Sequence, residues 1–345
     1  MTIEPKKPRT FNFPVELVLN NILLIALILL IVFFASRSGS FLTVSNFRVL
    51  LTNYAAIGVV ASVMAVLVIS GNVDMSVGSN IGFSGMLSAL AVTQFGLPAP
   101  VAIAVGIGSG ATVGLINGIL CSYFRFSPII VTLGMLSALR GVTLLIKSIE
   151  VAGMGDTFFT IGNGNVGGFP YLLLIVLAVF VLVAAFMAFT TWGRYVMAIG
   201  VNPQAAFLAA LPVRPMVLAL FIATGAAAGL SGVLLVARLD GASPGSLGLQ
   251  MELQALTIVL LGGVAFAGGR GRIFGVFTAW VFLAVMDNGL TILNVPPFVQ
   301  LVASGSALVF AASLDALGTY LGPQLEQRRR VAEQIAAKLR EEAAT

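Results

Sequence analysis

The polar groups able to do chemistry in this chain are few, and they sit at sharp breaks in apolar sequence. Gly71-Asn72-Val73-Asp74-Met75-Ser76-Val77-Gly78-Ser79 sets one carboxylate and several hydroxyls between two apolar runs. Such groups are costly in hydrocarbon and must face protein, water or a helix end. Two roles suit Asp74. It caps the N-terminus of the helix that follows, or the broken backbone lines a solute route on which free amides and Ser76 touch a hydroxylated molecule. Asn117, Thr132, Ser137, Asn288 and Gln300 add uncharged hydrogen-bonding groups inside other apolar stretches. A lining of Asp74, Ser76, Asn117, Thr132 and Asn288 is nearly neutral and suits a neutral polyhydroxylated solute. Asn117 and Asn288 suit the bridging of adjacent helices equally well.

Charged groups within the apolar stretches are limited to Arg140, Asp287 and Asp315, with Asp74 and Glu252 at ends. An ion-coupled carrier needs buried carboxylates along its path, so Asp287 or Asp74 would have to bind the ion in that reading. A hydrogen bond from Asp287 to neighbouring backbone is the structural alternative. Other chemistries are absent. The chain has no histidine, the commonest acid–base catalyst and metal ligand. Its one cysteine, Cys121, excludes an internal disulfide or a cysteine metal cluster. No Gly-x-x-x-x-Gly-Lys-Ser/Thr loop is present, so ATP hydrolysis is not expected here. Catalytic residues, cofactors and metal ligands are therefore none, and the chain reads as a non-enzyme.

These groups are carried by a membrane-embedded frame. Of 345 residues, 59% are apolar and 9% charged, whereas soluble domains carry about 45–50% and about 25%. Eighteen Lys and Arg against thirteen Asp and Glu give a basic balance too sparse for a nucleic-acid face. A spanning helix needs ~20 apolar residues, and the long runs lack the two-residue alternation of a barrel. The spacing predicts ten spans near 18–35, 50–70, 75–95, 99–122, 129–147, 171–190, 215–237, 252–267, 273–294 and 298–320. The first follows Lys6, Lys7 and Arg9 but lacks a small-x-small cleavage site before Arg37, so it reads as a retained span. With both termini cytoplasmic, thirteen basic residues fall on inner segments and four (Arg37, Arg48, Lys147, Arg238) on outer ones. That is the bias of the positive-inside rule.

The predicted organisation is a cytoplasmic segment 1–17, a ten-helix domain 18–320 and a cytoplasmic amphipathic tail 321–345. In the tail Val331, Ile335 and Leu339 recur every four residues. A glycine-rich outer loop, 148–170, and an inner loop, 191–214, are long enough to carry function. Val113–Leu136 also overlays Phe282–Gly305, bringing Asn117-Gly118 to within two residues of Asn288-Gly289, while Glu252 opens its span as Asp74 does. A displacement of five spans makes this an inverted repeat, the arrangement that lets two halves exchange open states. Gly106, Gly108, Gly110, Gly114, Gly225, Gly229 and Gly232 read as close-packing positions.

The stretch from Gly71 to Ser79 resembles the Gly-Gly-Ile-Asp-Leu-Ser-Val-Gly-Ser signature of the ribose-type permeases of ATP-binding-cassette importers. Further matches follow in family order: Pro128-Ile129-Ile130-Val131-Thr132-Leu133-Gly134, Arg140-Gly141, Thr191 to Asn202 with Ala205-Ala206, and Leu260-Leu261-Gly262-Gly263 with Gly268-Gly269-Arg270-Gly271. Asn72 departs from the usual second glycine, Ala210 stands where glycine often occurs, and Asp287 precedes Asn288. The resemblance implies an all-α membrane protein of the ribose- and vitamin B12-permease type in a bacterial inner membrane. It further implies a second permease chain, two cytoplasmic ATP-binding subunits, a periplasmic solute-binding protein and a small neutral sugar or sugar-like cargo. Same-superfamily permeases for branched-chain amino acids or nucleosides are the neighbouring alternative, and an ion-coupled carrier the distant one. Within the inner loop Asn202-Pro203 suits a helix start, and Ala205, Ala206, Leu208, Ala209 and Leu211 make a small apolar knob. With Gly200 and Asn202, these residues are the expected contact to the ATPase.

Overall fold

A computed structural model describes residues 22–310 and 313, and these are dominantly helical. In chain order the helices are α1 (Ile22–Arg37), α2 (Val44–Asn53), α3 (Ala55–Ile69), α4 (Val77–Thr93), α5 (Ala99–Ser122) and α6 (Pro128–Ile146). An outer segment follows with β1 (Val151–Ala152), α7 (Asp156–Asn163), β2 (Asn165–Val166) and β3 (Phe169–Pro170). Next come α8 (Tyr171–Phe189), α9 (Thr191–Val201), α10 (Pro203–Leu208), α11 (Val213–Leu239), β4 (Gly241–Ala242), α12 (Met251–Leu261), α13 (Ile273–Ile292) and α14 (Pro297–Phe310). The segment 1–17, the tail 321–345, Asp315 and the terminal ends of the first and tenth predicted spans (18–21, and 311–312 with 314–320) lie outside the described residues.

Among the described residues five helices are long and apolar enough to cross a membrane, or six if the bent pair α2–α3 is one span. Four further apolar helices, Leu23–Arg37, Val77–Thr93, Met251–Leu261 and Pro297–Phe310, are shorter. Helix α11 is the hub, packed on α5, α4, α3 and α7. Its contact with α5 is nearly backbone on backbone. A Cβ at Gly110 would come within 2.7 Å of the Gly229 Cα, and one at Gly229 within 3.0 Å of the Ile107 Cα. Small residues at these turns are what let the two helices approach. Gly108 is an exception, with open space where its Cβ would be.

Two departures from the predicted spans have identifiable causes. The span predicted at 50–70 is bent by 52° between α2 and α3. At the bend the Trp280 indole N–H donates to the Tyr54 carbonyl (2.7 Å), and Gly58 leaves room for the ring, since a Cβ there would lie 2.6 Å from the indole nitrogen. A side chain inserted at a helix ladder is a recognised source of a kink. The span predicted at 252–267 is only an eleven-residue helix, α12, about 16 Å long at 1.5 Å per residue. Gly263, at φ +79, turns the chain out of it.

The glycine-rich loop 148–170 is packed rather than open. β1 pairs antiparallel with β4, and Phe158 of α7 is fully buried. Gly162 lies against the Ala237–Arg238 backbone of α11, where a Cβ would come 2.6 Å from the Arg238 nitrogen.

Candidate functional site

The non-helical stretch between α3 and α4 is held by a buried polar network. Asp74 Oδ1 accepts from the Ser76 backbone N–H (2.8 Å) and from its hydroxyl (2.6 Å). From α5, the Asn117 amide donates to Ser76 Oγ (2.9 Å). From α6, Thr132 Oγ1 accepts the Met75 N–H (3.0 Å) while donating to the Pro128 carbonyl (2.8 Å). Asp74, Ser76, Asn117 and Thr132 are all buried. Asp74 therefore closes an Asx-type turn on the residue two ahead. Ser76 holds the N-cap position of α4, without a side-chain cap bond of its own.

Four of the five residues expected from the sequence to form a solute lining thus meet in one cluster. The fifth, Asn288 on α13, is elsewhere and exchanges two amide hydrogen bonds of 2.9 Å with Asn46 of α2. Its neighbour Asp287 accepts from the Tyr54 hydroxyl, a side-chain partner rather than backbone.

A second break faces the first. After β4 the chain turns through 243–250 before α12 begins, and this stretch lies against the start of α4. A Cβ at Gly78 would come 2.8 Å from the Gly248 carbonyl, and one at Gly82 would come 2.6 Å from the Leu247 carbonyl. Arg140 of α6 donates to that same Leu247 carbonyl (2.9 Å). Glu252, in the first turn of α12, abuts Gly78, and its Oε2 is buried without a hydrogen-bond partner among the described residues. Sequence reasoning misses both this segment and the role of Arg140. The cluster Ser243-Pro244-Gly245-Ser246 ahead of an apolar run is the available signal.

At the end of α3 where the first break begins, a glycine junction ties the loop 191–214 to that break and to the turn between α12 and α13. The Gly269 N–H donates to the Ile69 carbonyl (2.8 Å). A Cβ at Gly268 would lie 2.8 Å from the Gly71 Cα, and one at Gly200 would lie 2.9 Å from the Gly269 Cα. Helix α9 is therefore seated on the end of α3 and on the turn between α12 and α13. Trp192 and Tyr195 of α9 meet edge to face at 5.8 Å.

Helix α10 projects from this seat. Asn202 accepts at its N-cap from the Gln204 and Ala205 backbone N–H groups (3.0 Å each), and Pro203 fills the first turn. Of the residues expected to contact the ATPase, Ala205 is exposed and Leu208 is 79% exposed, while Ala206 is buried, Leu211 half-buried and Gly200 buried in the junction. Phe207, outside that expected set, projects beside Leu208 at 61% exposure. Alternation within six residues sets the knob's face, and only the three-dimensional seat of α9 reveals which side that is.

The comparison with known proteins fits this architecture. A family model described as "Branched-chain amino acid transport system / permease component" matches residues 46–312. The L-arabinose ABC transporter permease protein of Azospirillum brasilense is 32% identical over 289 residues, covering 83% of this chain and 85% of that one. The ribose import permease protein of Escherichia coli K12 is 31% identical over 297 residues (85% and 92%). The D-allose transport system permease protein of the same strain is 30% identical over 315 residues (91% and 96%). No solved structure matches. With the motif order, the matched length and the agreement among relatives, the chain belongs to the ribose-type permeases of ATP-binding-cassette importers.

Proposed function

We propose that this chain is the membrane-spanning subunit of a binding-protein-dependent importer for a small neutral sugar, working as one of two permease chains and driven by two separate ATP-binding subunits. Relatives named for arabinose, ribose, galactose and allose uptake support the cargo class. The near-neutral set of polar groups in the bundle agrees with it. The family model's own description favours a second reading, import of a branched-chain amino acid. A zwitterion would need a matching pair of charges along its route, and competition between sugars and amino acids for uptake separates the two.

We read the bent pair and the four shorter apolar helices, with the five long ones, as ten passes with both termini in the bacterial cytoplasm. The arginine distribution supports that orientation. The same reading makes α4 and α12 the matched members of an inverted repeat, each preceded by a non-helical segment.

The observation that carries the mechanism is the exposed Phe207–Leu208 pair on a capped helix beside α9, whose last turn sits on the end of α3 and on the turn after α12. An ATPase groove that grips this pair and moves would tilt α9. The glycine junction would pass the tilt to the ends of α3 and α12 as a rigid-body motion. The test is reconstitution of the chain with its ATPase and binding-protein partners. Sugar uptake should require ATP, and the chain alone in proteoliposomes under an ion gradient should accumulate nothing. Leu208→Asp should lower ATP-driven uptake by about tenfold or more, since desolvating a new charge in a docking groove costs several kcal/mol. Solute affinity of the binding protein should stay fixed. Unimpaired uptake by Leu208→Asp would remove α10 from the transmission path.

A further inference from the structure

Beside the coupling helix lies a cavity of about 800 Å³, walled by the ends of α3 and α5, by α9 and α10, and by the start of α11. Its size falls in the ~300–1,000 Å³ range of small-molecule sites. The charge on its wall has one sign. Arg125, from the α5–α6 turn, and Arg214, in the first turn of α11, line it, and no carboxylate does. Among the described residues neither guanidinium has a hydrogen-bond or ion-pair partner. Arg214 stands at the end of a helix where the dipole is already positive, the disfavoured place for a cation, and α11 begins there without a side-chain cap. The neighbouring loops, 123–127, 190–212 and 262–272, hold Arg125, Arg194, Arg270 and Arg272 and no Asp or Glu. The remaining wall is mixed, with Ser70, Asn72, Ser122 and Gln204 beside Val213 and Phe207.

We infer that this cavity binds a phosphate-bearing anion, the phosphate held between Arg125 and Arg214 and the rest of the ligand lying along the mixed wall of Ser122, Gln204, Phe207 and Val213. Guanidinium groups suit phosphate through their planar array of donors. Basic pockets between helices at an inner membrane surface take lipid head groups by the same chemistry. The phosphate has two sources, an anionic phospholipid or a soluble phosphate ester. In either case a bound ligand would brace α10 against α5 and α11, beside the pair proposed to meet the ATPase.

The test uses the full chain in phosphatidylcholine nanodiscs, with three probes: phosphatidylglycerol mixed into the bilayer, glycerol 3-phosphate and inorganic phosphate. Native mass spectrometry reads retained lipid, and titration calorimetry reads the soluble probes. Retention of phosphatidylglycerol over phosphatidylcholine assigns the lipid source, and saturable binding of a soluble probe assigns the ester. Each arginine removed should weaken binding about fivefold, the equivalent of ~1 kcal/mol per basic residue. Arg125→Gln with Arg214→Gln should therefore weaken it about 25-fold, while Arg194→Gln changes nothing. The paired Lys variants, which keep the charge, serve if the Gln pair melts early, and they should hold binding within about fivefold of wild type. Equal binding by wild type and the Gln pair, or no probe retained at all, overturns the site. Protection of both arginines from phenylglyoxal only when an ATPase subunit is added would also overturn it, giving the cavity to a protein partner. Uptake is not the readout, so failure here leaves the importer reading standing.

Discussion

The two non-helical lead-ins, 71–76 ahead of α4 and 243–250 ahead of α12, both bear on the first turn of α4, the second through Gly248 against Gly78, yet are secured by different means. The first is held by short-range side-chain bonds within its own turn, Asp74 to Ser76, reinforced by Asn117 and Thr132 from α5 and α6. The second is held by backbone turn bonds, Leu247 N–H to the Ser243 carbonyl and Leu249 N–H to the Ser246 carbonyl (3.0 Å each), by the buried Leu247 side chain, and by one long-range side-chain anchor, Arg140 on the Leu247 carbonyl. Backbone groups away from water must find partners. Here the first lead-in uses neutral and carboxylate side chains, and the second uses its own backbone turns and one guanidinium from α6. The first should behave as a fixed post and the second as the more easily displaced element, because among the described residues only one side chain, Arg140, hydrogen-bonds it to the rest of the bundle.

Breaking the contact of Gly248 with Gly78 should have the largest effect. Gly248 sits at φ +72 with its would-be Cβ against the Gly78 carbonyl. Gly248→Ala adds left-handed strain to a backbone clash, each worth about 1–3 kcal/mol, and should sharply lower the melting temperature in detergent. Removing the anchor comes next. Arg140→Met leaves the Leu247 carbonyl without its donor, at about 1–3 kcal/mol. Faster hydrogen exchange should then appear in 243–250 and not in 71–76. The smallest effect belongs to the post. Ser76→Ala deletes one hydroxyl from a network with other members, at about 1 kcal/mol, and should leave exchange in 243–250 unchanged. If Ser76→Ala loosened 243–250 as much as Arg140→Met does, both segments would form one cooperative unit and the contrast would fail.

Legibility in the sequence follows the range of the interactions. The helix start at Asn202-Pro203 is readable because a cap is made within four residues, and the turn at Asp74 because its partner is two residues away. The apolar runs mark most of the helices, since hydrocarbon demands length and apolarity whatever the neighbours are. Composition says that a segment is embedded, but not how deep it starts, so α12 reads from sequence as a full span and the lead-in at 243–250 goes unseen. The bend at Tyr54 depends on Trp280, 226 residues away, and no local pattern announces it. Asn117 and Asn288 fall within two residues of each other in the overlaid segments. Even so, one joins the Asp74 cluster and the other pairs with Asn46, because position in a repeat does not fix which side chain stands opposite.

The chain has two tryptophans. Trp280 is wedged at the bend with no solvent exposure, and Trp192 is 49% exposed on α9. Nature has thereby left a pair of intrinsic fluorophores at the two ends of the proposed lever. A soluble quencher should reach only the one on α9, and any shift in its emission during turnover would report motion there without a foreign label.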